Sequence, residues 1–150
     1  MQPNIFDKEP LISSPDWGES KYCSYKDLSV HFRVTGKDSN PPIVLIHGFG
    51  ASSDHWRNNA EIFASEGFRV FGIDLIGFGK SEQNLQSKKK YLDNQFWANQ
   101  LACFLDEIVD IKKNGKVILI GNSLGALVAF TTLSERPELI KTIIAAPLPE

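Results

Sequence analysis

The sequence predicts an α/β protein in which a mostly parallel sheet is flanked by helices and preceded by an antiparallel hairpin. Three features of the 150 residues carry that expectation. Ile43-Val-Leu-Ile46 and Val117-Ile-Leu-Ile120 are unbroken apolar runs beside turn residues, the pattern of strands buried on both faces. Trp97, Leu101, Phe104, Leu105 and Ile108 recur at helical spacing and make one apolar stripe. Strand and helix signals then alternate along the chain, an order that goes with parallel pairing because each return to the sheet needs a crossover.

In chain order, residues 1–20 carry Pro3, Pro10, Pro15 and Gly18 and read as an irregular lead-in. Residues 21–150 read as part of a single domain. Residues 21–25 and 28–34 are β-prone runs around Lys26-Asp27, an antiparallel hairpin. Val30, Phe32 and Val34 alternate with His31, which places His31 on the solvent face of an edge strand. After a turn over residues 36–42, the first buried strand runs into His47-Gly-Phe-Gly50. Ser52, Ser53 and Asp54 offer capping oxygens to a helix with Trp56, Ala60 and Phe63 on one face, ended by Gly67. Residues 68–73 form a strand with Asp74 at its C-terminal end. A turn with Gly77 and Gly79 follows, then a polar loop ending in Lys88, Lys89 and Lys90 that reads as solvated. The striped helix and the second buried strand come next. Leu124, Leu127, Val128 and Thr131 then mark a helix face, Pro137 stops that helix, and residues 140–146 form a last strand ended by Pro147 and Pro149.

Hydrophobic content of 42% and charged content of 23% are those of a globular protein with a substantial core. A net charge of −2 offers nothing to nucleic acid or an anionic membrane surface. No apolar run reaches the length of a membrane span, and residues 1–10 lack a basic-then-apolar leader, so a cytoplasmic location is the expectation. Cys23 and Cys103 make no disulfide framework and suit a reducing compartment. His47 and His55 have no companion ligands, so no metal is expected, and no cofactor either.

The chemistry gathers at Gly121-Asn122-Ser123-Leu124-Gly125, a strand turning sharply into a helix around a serine. Such a turn projects the hydroxyl clear of the backbone. Glycines on either side remove side chains that would collide where strand and helix pass, and the helix N-terminus points amides at the hydroxyl. His47-Gly48-Phe49-Gly50 and Asp74-Leu-Ile-Gly-Phe-Gly-Lys-Ser81 end two other predicted parallel strands, at the edge where open α/β sheets bind ligands.

This trio, in this order and spacing, resembles the N-terminal half of the α/β-hydrolase family, and the likeness runs from about Lys21 to Ala146. His-Gly-Phe-Gly, the Trp97-x-x-Gln100-Leu101 helix and the Gly-Asn-Ser-Leu-Gly elbow look most like the branch of pheophytinase and related esterases. The resemblance implies Ser123 as nucleophile and the backbone N–H groups of Phe49 and Leu124 as oxyanion hole. It implies His47, Gly48, Gly50, Asp74, Gly121, Asn122 and Gly125 as supporting residues, with Asp74 closing its turn through side-chain-to-backbone bonds. The implied substrate is a small, apolar ester-type molecule, bound near Phe49, Phe78 and Leu124. Serine at the elbow argues against halide or epoxide chemistry, which in this fold generally uses Asp there.

One departure stands out. A serine needs a base, itself oriented by an acid, and in this family both follow the serine in the chain. After Ser123 there is no Asp and no His; His31, His47 and His55 all precede it. The chain therefore reads as a hydrolase lacking the C-terminal strands and lid: a truncation, a split protein awaiting a complementing C-terminal half, or a degenerate relative with little turnover. A non-catalytic, hydrolase-derived binding fragment is the alternative. A dinucleotide-binding reading rests on Gly48-x-Gly50-x-x-Ser53 with an acid at Asp74. A phosphate-binding loop before Lys80-Ser81 fails because Asp74 stands where glycine is required.

Overall fold

The structure is a computed structural model, describing residues 16–85 and 91–146. The lysine run 88–90, the lead-in before Asp16 and the prolines after Ala146 lie outside the described residues. Six strands form one sheet in the order β1-β2-β4-β3-β5-β6. β1 (Glu19–Tyr25) and β2 (Leu28–Thr35) are the antiparallel hairpin, and its tight turn holds Lys26 and Asp27 at positive φ. β2 also pairs antiparallel with β4 (Arg69–Ile73). From there the sheet is parallel: β4 with β3 (Pro42–Ile46), β3 with β5 (Val117–Asn122), and β5 with β6 (Ile140–Ala146). This is the mostly parallel sheet with an N-terminal antiparallel hairpin that the sequence predicts.

The all-apolar strands are two-sided, as their composition requires. Along β3, Val44 and Ile46 face a cluster with Leu101, Leu105 and Val128, while Ile43 and Leu45 face Trp17, Trp56 and Ala60 on the opposite side. The first cluster is roofed by α2 (Asn94–Phe104) and α4 (Leu124–Glu135), the second by a 3₁₀ turn (Ser53–Trp56) and α1 (Ala60–Ser65). Buried Arg33 pins the chain before β1: its guanidinium donates to the Asp16 carboxylate and the Trp17 carbonyl, and to Asp54 in the 3₁₀ turn.

Four expectations need correction. His31 is not on a solvent face but is 1% exposed, because β2 lies between β1 and β4 and both its faces are covered. The single helix expected around Trp56 is split into the 3₁₀ turn and α1. The stripe through Ile108 is not one α-helix: α2 ends at Phe104, a π-helical turn carries Leu105–Val109, and left-handed Asp110 starts the short α3 (Ile111–Asn114). The buried face of α4 is Gly125, Ala126, Val128, Ala129 and Thr132, with Leu127 turned outward. Small residues win that face because α4 lies close on the sheet. β6 is an edge among the described residues; Ile140 is buried and Ile144 is half-exposed.

Candidate active site

The elbow is built by close approach. A Cβ on Gly125 would stand 2.2 Å from the Ile46 carbonyl oxygen, and one on Gly121 would stand 2.6 Å from the Ala126 nitrogen. Only glycine at both positions lets β5 turn directly into α4 beneath the end of β3. Ser123, between them, is held at φ 52°, ψ −114°. Such a conformation costs a serine about 1–3 kcal/mol and is kept only where the surroundings enforce it. Its N–H donates to the Ala146 carbonyl at 3.0 Å, and its carbonyl accepts from Ala126. The serine hydroxyl makes no capping bond to α4. Leu124 opens that helix, so its N–H belongs to the first turn, whose amides have no intrahelical acceptor.

The turn after β3 adjoins the elbow. A Cβ on Gly48 would meet the Asn122 carbonyl at 3.3 Å and the Ser123 Cβ at 3.4 Å. The Ala51 N–H donates to the Gly48 carbonyl at 3.2 Å, closing a turn whose third residue, Gly50, has φ +72°. The Phe49 amide is not used by that closing bond. Phe49 itself is 78% exposed and stands at the rim, edge-on to Phe78, which in turn touches the rings of His47 and Trp97.

His47 is fully buried, and its partners set its tautomer. The Leu75 N–H donates to Nε2 at 3.0 Å, so Nε2 carries no hydrogen, and Nδ1–H donates to the Gly48 carbonyl at 2.7 Å. Burial holds its pKa below the usual 6.5. The neutral ring is thus a clamp between the loops after β3 and β4, with neither nitrogen free to take a proton from Ser123.

Asp74 is the second clamp. Oδ1 accepts from the Ser53 N–H at 2.6 Å; Oδ2 accepts from the Lys80 N–H at 2.9 Å and from His31 Nδ1–H at 2.8 Å. Burial alone pushes the carboxyl pKa up, but these hydrogen bonds outweigh it and bring it down to about 2. Sequence reasoning missed the other members of this network. Ser81 Oγ donates to the Asp74 carbonyl, and accepts from the His31 N–H. Buried Gln100 donates to that same carbonyl and accepts from the Ile76 N–H. A buried glutamine on a helix with an otherwise apolar face was the one available signal. The network also disposes of the dinucleotide reading, since a carboxylate 1% exposed with both oxygens engaged cannot reach a ribose.

Stability should follow these two groups. Protonating His47 breaks its Leu75 bond, so its contribution is complete above pH 6.5 and declines below it. The depressed Asp74 contributes fully above its ordinary 3.8 and loses that contribution as pH falls toward about 2. That second contribution amounts to roughly 2 kcal/mol. Urea midpoints should therefore fall below about pH 6.5 and again below about pH 4, the second decline vanishing in Asp74→Asn. The same acid decline in that variant would show that other carboxylates cause it.

A family model described as alpha/beta hydrolase fold matches residues 41–146. The chain belongs to the α/β-hydrolase fold family. Among this family, "Epoxide hydrolase 1" of Caenorhabditis elegans is 28% identical over 131 residues, 87% of this chain and 31% of that protein. A "2-hydroxy-6-oxononadienedioate/2-hydroxy-6-oxononatrienedioate hydrolase" of Escherichia coli is 32% identical over 111 residues, 71% of this chain and 36% of that protein. The solved "Thioesterase Domain From Curacin Biosynthetic Pathway" superimposes with a TM-score of 0.78 at 26% identity, covering 89% of this chain and 47% of that one. The chain thus spans about a third of the two curated α/β hydrolases named and about half of the solved one. Among the described residues no helix is long and apolar enough to cross a membrane.

Proposed function

We propose that this chain carries the nucleophile and oxyanion hole of a serine hydrolase acting on apolar, ester-type acyl substrates. Ser123 attacks the carbonyl carbon, and the amides of Phe49 and Leu124 hold the oxygen on which negative charge develops. Fixed amides in that position need no reorganisation as the charge forms; each is typically worth about 10²–10³ in rate. The observation that carries the reading is the backbone of Ser123, forced to positive φ beside Gly48 with its hydroxyl unused as a cap. Serine rather than aspartate at this turn favours acyl chemistry over the epoxide opening named for some relatives. The aromatic rim of Phe49 and Phe78 favours an apolar acyl group.

The base and acid come from a complementing C-terminal part outside these 150 residues. His31 and His47 have both ring nitrogens engaged elsewhere, and exposed His55 lies edge-on to Trp56 in the 3₁₀ turn. No other histidine exists in the sequence. A fluorophosphonate probe with peptide mapping tests the proposal. Ser123 should stay largely unmodified in this chain alone and become modified once a C-terminal segment supplying an acid and a histidine is added. Persistent silence of Ser123 in that complex would favour the non-catalytic binding fragment instead.

A further inference from the structure

A complete serine–histidine–carboxylate relay exists in this chain, and it does not include Ser123. Ser20 Oγ lies 2.7 Å from His31 Nε2, and His31 Nδ1 lies 2.8 Å from Asp74 Oδ2. The direction of the relay follows from what each group can do. Asp74 as a carboxylate only accepts, so Nδ1 carries the ring hydrogen, and in the neutral ring Nε2 is left as acceptor for the Ser20 hydroxyl. His31 and Asp74 are each 1% exposed, so water does not compete for the His31–Asp74 hydrogen bond. Asp74 is further fixed by the Ser53 and Lys80 amides, so the imidazole is braced from behind. Ser20, by contrast, is exposed on β1, the outer strand of the sheet. A hydroxyl open to reagents, a ring nitrogen within hydrogen-bond reach and a carboxylate orienting that ring are the recognised arrangement of an activated serine, whatever the fold. Tyr22 completes the picture. It lies two residues along the same face of β1, 59% exposed, with its ring 5.1 Å from that of His31, an aromatic shelf beside the hydroxyl.

We propose that Ser20 is a second nucleophilic site, acylated by small activated aryl esters through His31 as general base and Asp74 as orienting acid. In the step, Ser20 Oγ forms a bond to the acyl carbon while its proton passes to His31 Nε2. The carbon–oxygen bond to the aryl group breaks, and the phenolate leaves with the electron pair and is reprotonated from the imidazolium or solvent. General-base assistance is the source of the acceleration, typically about 10²–10⁴-fold. This reading is independent of the role proposed for Ser123, because the two serines share no histidine.

The test is to incubate the wild-type chain with p-nitrophenyl acetate and follow acetylation serine by serine by mass spectrometry. Ser134 serves as internal reference; it is exposed, and its hydroxyl donates only to the Thr131 carbonyl. Ser20 should acetylate at least about 100-fold faster than Ser134. The phenolate burst should disappear in Ser20→Ala, a change on an exposed edge position. In Ser20→Cys, iodoacetamide at neutral pH should alkylate the introduced thiol at least about tenfold faster than an unstructured cysteine peptide. Equal rates at Ser20 and Ser134, or a thiol in Ser20→Cys no faster than the peptide, would overturn the proposal. Acetylation confined to Ser123 would overturn it as well, while supporting the elbow.

Discussion

Gly125→Ala is expected to destabilise the chain by about 4 kcal/mol or more, enough to leave it largely unfolded under mild denaturant. Local rules say the opposite. Gly125 sits inside α4, where alanine is better than glycine by about 1 kcal/mol. Tertiary contact reverses the sign. The added carbon would stand 2.2 Å from the Ile46 carbonyl oxygen and 2.7 Å from that of His47. Both are backbone atoms at the end of a central parallel strand, so nothing can rotate away. Relief requires lifting α4 off β3, which opens the elbow and the neighbouring turn together. Gly67→Ala is the control: its Cβ would meet nothing within 4 Å, and only its φ of +91° is at stake. That change should cost about 1 kcal/mol. Urea unfolding of the two variants separates close approach from backbone strain. A Gly125→Ala protein as stable as wild type would mean that helix and strand are further apart than this contact requires.

Asp74→Ala should cost about 4 kcal/mol, because each buried donor left without its acceptor costs about 1–3 kcal/mol. Three donors lose their acceptor at once: the Ser53 and Lys80 amides and His31 Nδ1. His31 is 1% exposed and has no water to turn to. The loss is also architectural, because Asp74 joins the loop after β4 to the start of the 3₁₀ turn and to β2. Asp74→Asn keeps the shape and one acceptor and should lose roughly half as much. A double-mutant cycle with His31→Gln isolates the pair: the two changes should be strongly non-additive, coupled by about 1–3 kcal/mol. Additive losses would show that Asp74 acts through the loop amides alone.

Much of the architecture was legible because it rests on local pattern. A short apolar run bounded by turn residues, such as Val117–Ile120, suits a strand covered on both faces, and the alternation of strands with amphipathic helices forces crossovers. The elbow was legible for a related reason: two glycines flanking a serine between a strand and a helix are a local solution to a local crowding problem. Other features were not local. His31 alternates with apolar residues in the way an exposed residue does, and nothing in residues 28–35 says that β4 will close over its other side. The face of α4 was misread because helical spacing favours large apolar residues, whereas the sheet beneath admits only small ones.

Residue order alone settled that this is an α/β chain with a serine-bearing turn between its last long helix and a buried strand, because periodicity and glycine spacing act over a few residues. Only the folded arrangement decided what the histidines do. His47 is locked neutral between two loops, and His31 is set between Ser20 and Asp74. Both outcomes depend on which amides and carboxylates the sheet order brings within about 3 Å, and that distance is fixed by strand pairing rather than by sequence neighbours.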